Sequence, residues 1–257
     1  MGKANRYGNW WVERVPETGS TNADLLVAAE SGAPDRSVLV TDHQTAGRGR
    51  LGRVWQAPPG ANLLVSFLHR DVVDHPHRLT QRLGLAAVRV LRQRFAIDAG
   101  LKWPNDVVAR VGASAAAKDV KVAGILAQSI PATDGALHVV VGMGLNVAWA
   151  PSPDVAEATC VNDVKPPTSP TLEPFDFLML VLDQLDELAM STPEEVSAEY
   201  RSVLRTLGRS VNCDMPDDTR ITGRAVDVDD DGRLLVVDEC AVTHRIDTAD
   251  VVHLRNA

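Results

Sequence analysis

The stretch TDHQTAGRGRLGRVW, residues 41–55, holds three glycines and three arginines and no acid after Asp42. Gly47, Gly49 and Gly52 fit G-x-G-x-x-G, the pattern of a dinucleotide-binding turn. Such a turn needs a helix opening at its last glycine, because the helix N-terminus holds the pyrophosphate. Here Val54 and Trp55 lead into Pro58, Pro59 and Gly60, and a strand-like run begins at about Asn62, so there is no room for that helix. Asp71 sits where a ribose-binding acid would be expected and is coincidental for the same reason. What remains is a solvated basic loop or an anion site. Planar guanidinium donors at Arg48, Arg50 and Arg53 suit carboxylate and phosphate oxygens, and glycines let the backbone reshape around a ligand. Arginine concentrated in one loop of an acidic chain favours the anion site.

Four other polar clusters could do chemistry. KWPNDV (102–107) sets Lys102, Asn105 and Asp106 around a Trp-Pro turn. Asn and Asp often satisfy their own backbone in turns; alternatively Asp106 serves a Mg²⁺ or a proton and Asn105 bonds substrate. KVAGIL (121–126) puts Lys121 at the mouth of a strand, as an edge charge or a functional cation, with Gly124 open to close ligand approach. GMGLN (142–146) ends a strand with Asn146. GSTN (19–22) places Ser20, Thr21 and Asn22 at a helix start, where capping accounts for one of the three.

The elements that must position these groups are legible in the periodicity. WWVERV (10–15), SVLVT (37–41) and NLLVSFLHR (62–70) read as strands. STNADLLVAAES (20–31) reads as a helix capped by Ser20 or Thr21, with Thr21 and Asp24 at capping-box spacing and Gly32 as its stop. Leu79, Leu83, Ala87, Val90 and Leu91 recur at helical spacing up to Phe95. Further strands are expected around Gly100 to Lys102 and over 106–111, 121–129 and 136–145. This order predicts an α+β fold, a mixed sheet with helices mainly on one face. KPPTSPTLEP (165–174) reads as a surface connection to two helices, 175–190 and 193–207. From Gly208 short alternating strands take over, with Asp231 and Gly232 as a hairpin turn, so residues 1–207 and 208–257 are expected as separate domains, the second a small β-barrel.

Composition narrows the class. The 257 residues are 45% hydrophobic and only 4% aromatic, with a formal net charge of −8. An acidic surface repels nucleic acid and anionic membranes. Cys160, Cys213 and Cys240 are odd in number and lack a C-x-x-C pair, so they read as thiols of a reducing compartment. No membrane span or leader is expected, which points to the cytoplasm.

In their order, GSTN, QTAGRGRLGR, KWPNDV, KVAGIL and GMGLN closely resemble the biotin protein ligases over about residues 10–150, and the C-terminal strands ending in DVVHLR are similar to that family's last domain. The resemblance implies a class II synthetase-like biotinyl/lipoyl transferase core with a small SH3-like β-barrel. It also implies an enzyme that condenses biotin with ATP to biotinyl-5'-AMP and passes the biotinyl group to a lysine of a biotin carboxyl carrier protein or domain. Carried over by motif, Ser20, Thr21, Asn22 and Gln44 hold the biotin ring and ureido group, with Gly124 beside it. Arg48, Gly49 and Arg50 close over the carboxylate and α-phosphate, and Lys121 bridges both. Arg53 and Trp55 lie toward triphosphate and adenine, Asn105 and Asp106 help place Mg²⁺, and Asn146 contacts the nucleotide. Asp106 is also the candidate to orient the acceptor amine or take its proton.

Some family members carry an N-terminal DNA-reading module; with a strand beginning by Trp10 this chain is expected to be a ligase only, without a nucleic-acid or membrane partner, as a monomer or homodimer. Three rivals stand beside this reading. A lipoate or octanoyl transferase shares the core fold, an RGG-like nucleic-acid module would need interleaved aromatics and a basic face, and a non-catalytic biotin binder would need neither Lys121 nor the arginines.

Overall fold

A computed structural model describes residues 4–112, 117–152, 157–247 and 250–253. The chain opens with strands β1 (Asn5–Tyr7) and β2 (Trp10–Thr18), helix α1 (Thr21–Glu30), and strands β3 (Ser37–Gln44) and β4 (Leu63–Val72). Helix α2 (His77–Phe95) is followed by β5 (Ala99–Lys102), β6 (Asp106–Val111), β7 (Lys118–Pro131) and β8 (Leu137–Leu145). These eight strands form one sheet in the order β1-β2-β3-β4-β8-β7-β6-β5. Only β2 and β3 run parallel, joined by α1; every other neighbour is antiparallel.

Alternation along the strands gives the sheet two unlike faces. Val38, Val40, Phe67, Val139 and Val141 point into the main core, which α2, α4 (Pro174–Ala189) and α5 (Pro193–Val203) cover. Leu39, Leu68 and Val140 point the other way and meet Leu25 and Ala29 of α1 in a separate, smaller cluster. The expected α+β sheet is thus present, with one helix on the second face. That helix is short and covers only part of its side; beyond it Trp55 lies against Gly124 of β7 and Gly144 of β8.

Local signals differ from expectation in two places. The N-cap of α1 is Ser20, but no side chain caps it, and Thr21 and Asn22 are buried instead. Asp24 accepts the Thr18 hydroxyl, so no capping box forms there. The box lies at α5, where the Thr192 hydroxyl accepts from the Glu195 N–H at 3.2 Å and Glu195 accepts from the Thr192 N–H at 2.8 Å. Secondly, α5 ends at Val203 rather than 207, because residues 204–206 turn back to the sheet edge: Arg205 N–H donates to the Leu101 carbonyl at 2.7 Å.

The C-terminal strands β9 (Ser210–Asp214), β10 (Arg220–Val228), β11 (Leu234–Val237), β12 (Thr243–Ile246) and β13 (Asp250–His253) form a second, antiparallel sheet in the order β12-β11-β10-β9-β13. Asp231 and Gly232 lie in the turn between β10 and β11, with Gly232 at φ +81°. Helix α3 (Val161–Val164) is a single turn in the connection after β8. Among the described residues no helix is long and apolar enough to cross a membrane. The three cysteines are free thiols, and burial pushes Cys160 and Cys213 up to about 11.

Candidate active site

The part of the α1 face beyond the helix is floored by glycine and walled by polar groups. Gly124 of β7 and Gly144 of β8 are register partners, and the Trp55 ring lies over both; a Cβ on Gly144 would overlap the indole. Trp55 Nε1 is buried there with no hydrogen-bond partner among the described residues, and an unmatched buried donor costs about 1–3 kcal/mol. Toward α1 the same strip continues through Gly142, where a Cβ would overlap the Asn22 amide.

Around Asn22 a buried polar network forms. Thr21 N–H and Oγ1 meet Gln44 Oε1 at 2.8 and 3.0 Å, which gives the first helical N–H of α1 a side-chain partner from β3 in place of a cap. Ser66 Oγ lies 2.7 Å from Thr21 Oγ1 and 2.6 Å from Asn22 Oδ1, and Asn22 Nδ2 donates to the Leu126 carbonyl at 3.1 Å and Gln128 Oε1 at 2.9 Å. Ser66 and Gln128 were not singled out from the sequence. A lone serine in an apolar strand and a glutamine in a long one carry no motif, although a polar residue inside NLLVSFLHR was a usable hint. Ser20 stands half-buried at the rim.

The cations lie at the other end. Lys121 Nζ is 2.6 Å from Asp106 Oδ1 and 5.6 Å from the centroid of the Trp55 ring. The backbone of Lys121 is held from the side by residues 157–159: its N–H donates to the Glu157 carbonyl at 3.1 Å and its carbonyl accepts from Thr159 N–H at 2.9 Å. Lys102 faces Asp106 in register across the β5–β6 turn. Asn105 fixes that turn to β7, donating from Nδ2 to the Ile125 carbonyl at 2.8 Å and accepting Ile125 N–H on its own carbonyl at 2.9 Å.

Residues 47–55 fold into a tight hairpin. Gly49 N–H donates to the Arg53 carbonyl at 2.7 Å and Trp55 N–H to the Gly47 carbonyl at 3.0 Å, around a 3₁₀ turn at Arg50–Gly52. Leu51 and Gly52 both have left-handed φ, +55° and +73°; no helix follows, which rules out the dinucleotide fingerprint. Arg48 and Arg53 are exposed, while Arg50 reaches toward the floor, its Nη1 lying 3.5 Å from Asn105 Oδ1. Loop, turn and strand therefore bring Arg50, Lys121, Asn105 and Asp106 together. Asn146 is placed differently. It is 2% exposed and spends its amide inside the chain, donating to the Thr159 carbonyl at 3.1 Å and accepting from Asn62 Nδ2 at 3.3 Å.

Trp103 explains how the turn is kept still. The Trp103–Pro104 bond is cis. The Trp103 indole, 3% exposed, donates from Nε1 to the Gly232 carbonyl at 3.0 Å, and its backbone N–H donates to Thr206 Oγ1 at 3.0 Å. A cleft of about 260 Å³ opens beside it, between Lys102, Asn105 and Asp106 on one side and His77, Asp231 and Arg233 on the other. Burial pushes the His77 imidazole below its ordinary value, helped by His75 and Arg78 and opposed by Asp231 and Asp229. Among the described residues no group of three or more His, Cys, Asp or Glu could hold a metal ion.

Comparison with known proteins bears directly on this arrangement. Residues 12–146 match the Biotin/lipoate A/B protein ligase family, which leaves the acyl group open, and residues 206–254 match the Biotin protein ligase C terminal domain. The chain is 38% identical over 258 aligned positions to the biotin–[acetyl-CoA-carboxylase] ligase of Mycobacterium tuberculosis, covering 96% of this chain and 91% of that one. The chain belongs to the biotin protein ligase family. The family's bifunctional ligase/repressor BirA of Escherichia coli is 37% identical over 143 positions, 53% of this chain but only 40% of its own. The biotin protein ligase of Aquifex aeolicus, solved in complex with biotin and ATP, superposes with a TM-score of 0.72 at 26% identity, over 95% of this chain and 99% of that one. The fold of the family accordingly extends through the C-terminal sheet, and the lipoate rival loses its ground.

Proposed function

We infer that this biotin protein ligase builds biotinyl-5'-AMP on the α1 face and then transfers the biotinyl group to a lysine of a carboxyl carrier protein. The observation that carries the site assignment is the convergence of Lys121, Arg50, Asn105 and Asp106 beside a glycine-floored trough that ends in a buried polar network. Residues 1–207 serve as the catalytic unit and 208–257 as a C-terminal unit that braces the Trp-Pro turn.

In this reading the network takes the ureido group. A ureido group offers one carbonyl acceptor and two N–H donors, and Thr21, Asn22, Gln44 and Ser66 present both kinds of partner. Ser20 closes the rim, and Gly124 lets the Trp55 ring and Lys121 lie close on β7, where they line the ligand's path toward the cations. The acyl chain then runs toward the cations, where the carboxylate meets the α-phosphate of ATP. One carboxylate oxygen attacks phosphorus, the bond from phosphorus to the bridging oxygen breaks, and pyrophosphate leaves. Lys121, Arg50 and, as the loop closes about Gly49, Arg48 stabilise the charge that grows on the phosphoryl oxygens. Arg53 reaches the leaving phosphates, and Asn146 supports the nucleotide side by fixing the β8 end.

Mg²⁺ fits as an ion that arrives with the nucleotide. The site supplies one carboxylate, Asp106, and one amide, Asn105, and magnesium is commonly held by one or two carboxylates plus substrate phosphates. It would neutralise triphosphate charge. In the transfer step the carrier's neutral amine attacks the acyl carbon and AMP leaves, with Asp106 positioned to orient the amine or receive its proton.

The test is biotin-dependent pyrophosphate release from Mg-ATP, with lipoate and octanoate run in parallel. Release with biotin alone supports the reading; release with lipoate, or none with any acid, removes it.

A further inference from the structure

A second cavity, of about 190 Å³, opens on the core side of the sheet, away from the trough, between β4, α2 and the end of α4. Its apolar wall is made by Trp10, Phe67, Leu79, Leu83 and Val141. Its polar groups are unevenly satisfied. Asp186 accepts from Arg36 at 3.2 Å, from Trp10 Nε1 at 3.1 Å and from Asn9 at 3.1 Å. Asp35 accepts the Arg70 backbone N–H at 2.9 Å and lies 4.0 Å from Arg36. The Arg70 guanidinium is tied to the carbonyls of Ala29 and Ala33 at 2.9 and 3.0 Å and faces His138 Nε2 at 3.0 Å. Both acids of the wall are therefore matched by Arg36, and Arg70 is held by the chain.

Arg82 and His69 are left. Arg82 Nε is buried without a hydrogen-bond partner, and no carboxylate among the described residues pairs with its guanidinium; burial and the neighbouring Arg78 push it below its ordinary value. The His69 side chain is half-buried, lies edge-on to Trp10 at 6.1 Å, and makes no hydrogen bond among the described residues. Burial lowers it to about 4, with Arg36 and Arg82 acting in the same direction and Asp35 against them, so at neutral pH it offers one N–H without a charge. A half-buried guanidinium whose Nε is shut off from solvent and has no carboxylate partner among the described residues, beside a neutral imidazole N–H and in front of an apolar wall, suits one kind of ligand.

We propose that this cavity binds a small organic carboxylate, with its carboxylate on Arg82 and His69 and its hydrocarbon body against Trp10, Phe67 and Leu83. The apolar wall favours this occupant over an inorganic anion, and its place on the core face makes it independent of the trough.

The test follows the indole N–H resonances of the full chain during titration with hexanoate. The Trp10 resonance moves saturably, and hexanamide, which keeps the body and loses the charge, binds at least about tenfold more weakly. Arg82→Gln lowers hexanoate affinity to the same degree while leaving the free protein's Trp10 resonance in place. The proposal is overturned if Trp10 does not move or if only Trp55 moves, which would put the carboxylate in the trough. Equal binding of hexanoate and hexanamide removes the role of charge, and equal binding of inorganic phosphate removes the role of the apolar wall.

Discussion

The Arg/Gly loop and the Trp-Pro turn bring their polar groups to the same trough but are held in opposite ways. The loop, residues 47–55, is bonded mostly to itself and reaches the sheet through Trp55, which rests on Gly124 and Gly144. Its outer residues Leu51 and Val54 are 54% and 69% exposed. The turn, residues 102–106, is pinned from three directions: by Ile125 of β7, by Thr206, and by Gly232 of the C-terminal sheet. In the proposed reading the loop changes shape around a labile mixed anhydride, and the turn holds its partners in register while that happens.

The largest expected effect comes from the cations between the two. Lys121→Ala removes a cation from the reacting groups and leaves the Asp106 carboxylate without its ion-pair partner. Adenylation should fall roughly ten- to a hundredfold, and Arg50→Ala should cost about tenfold, both measured as biotin-dependent pyrophosphate release. Unchanged rates in both variants would break the assignment. Trp103→Phe breaks the pinned side. It leaves the Gly232 carbonyl without its donor, so the full chain should lose about 1–3 kcal/mol in urea denaturation. An unaltered midpoint would mean that the C-terminal sheet does not brace the turn.

Gly144→Ala acts on the loop side. The added methyl overlaps the indole and must unseat Trp55, which should appear as a red shift in tryptophan emission together with weaker biotin binding. No change in emission would show that the ring does not rest there. Arg48→Gly should leave the fold intact and let biotinyl-5'-AMP escape, read as biotin on bystander lysines; no increase over the parent chain would remove Arg48 from retention.

The smallest effect concerns His77, which packs on Gly232 at the joint. Its folded value is depressed, so the unfolded chain takes up a proton that the folded chain refuses. Stability should therefore hold above about pH 6.5 and fall as pH drops below it, and His77→Phe should reduce that slope in thermal melts, the remainder coming from the more strongly depressed His69. An equal slope in the variant would locate the acid sensitivity elsewhere.

The motifs were legible because their chemistry needs fixed residue types at fixed spacing. The dinucleotide reading could be refused because Pro58, Pro59 and Gly60, with a strand starting at about Asn62, leave no room for a helix after Gly52, and the strands and α2 followed from periodicity. Thr21 and Asn22 were harder. Local spacing offers them a capping role with Asp24, but a tertiary network that includes Ser66 and Gln128 takes them into the floor, and such partners lie far apart in sequence. Trp103 read as part of a turn, because nothing near it announces a hydrogen bond to Gly232. Asn146 lay in a motif, yet its burial with Asn62 emerges only from the folded chain.

Hydrogen exchange of the full chain, with and without biotin and Mg-ATP, tests the contrast most directly. The account predicts that amides of 47–55 exchange fast in the free protein and become strongly protected with both substrates, while Trp103 and Ile125 are protected throughout. Equal changes in the two segments, or a loop already protected in the free protein, would contradict it.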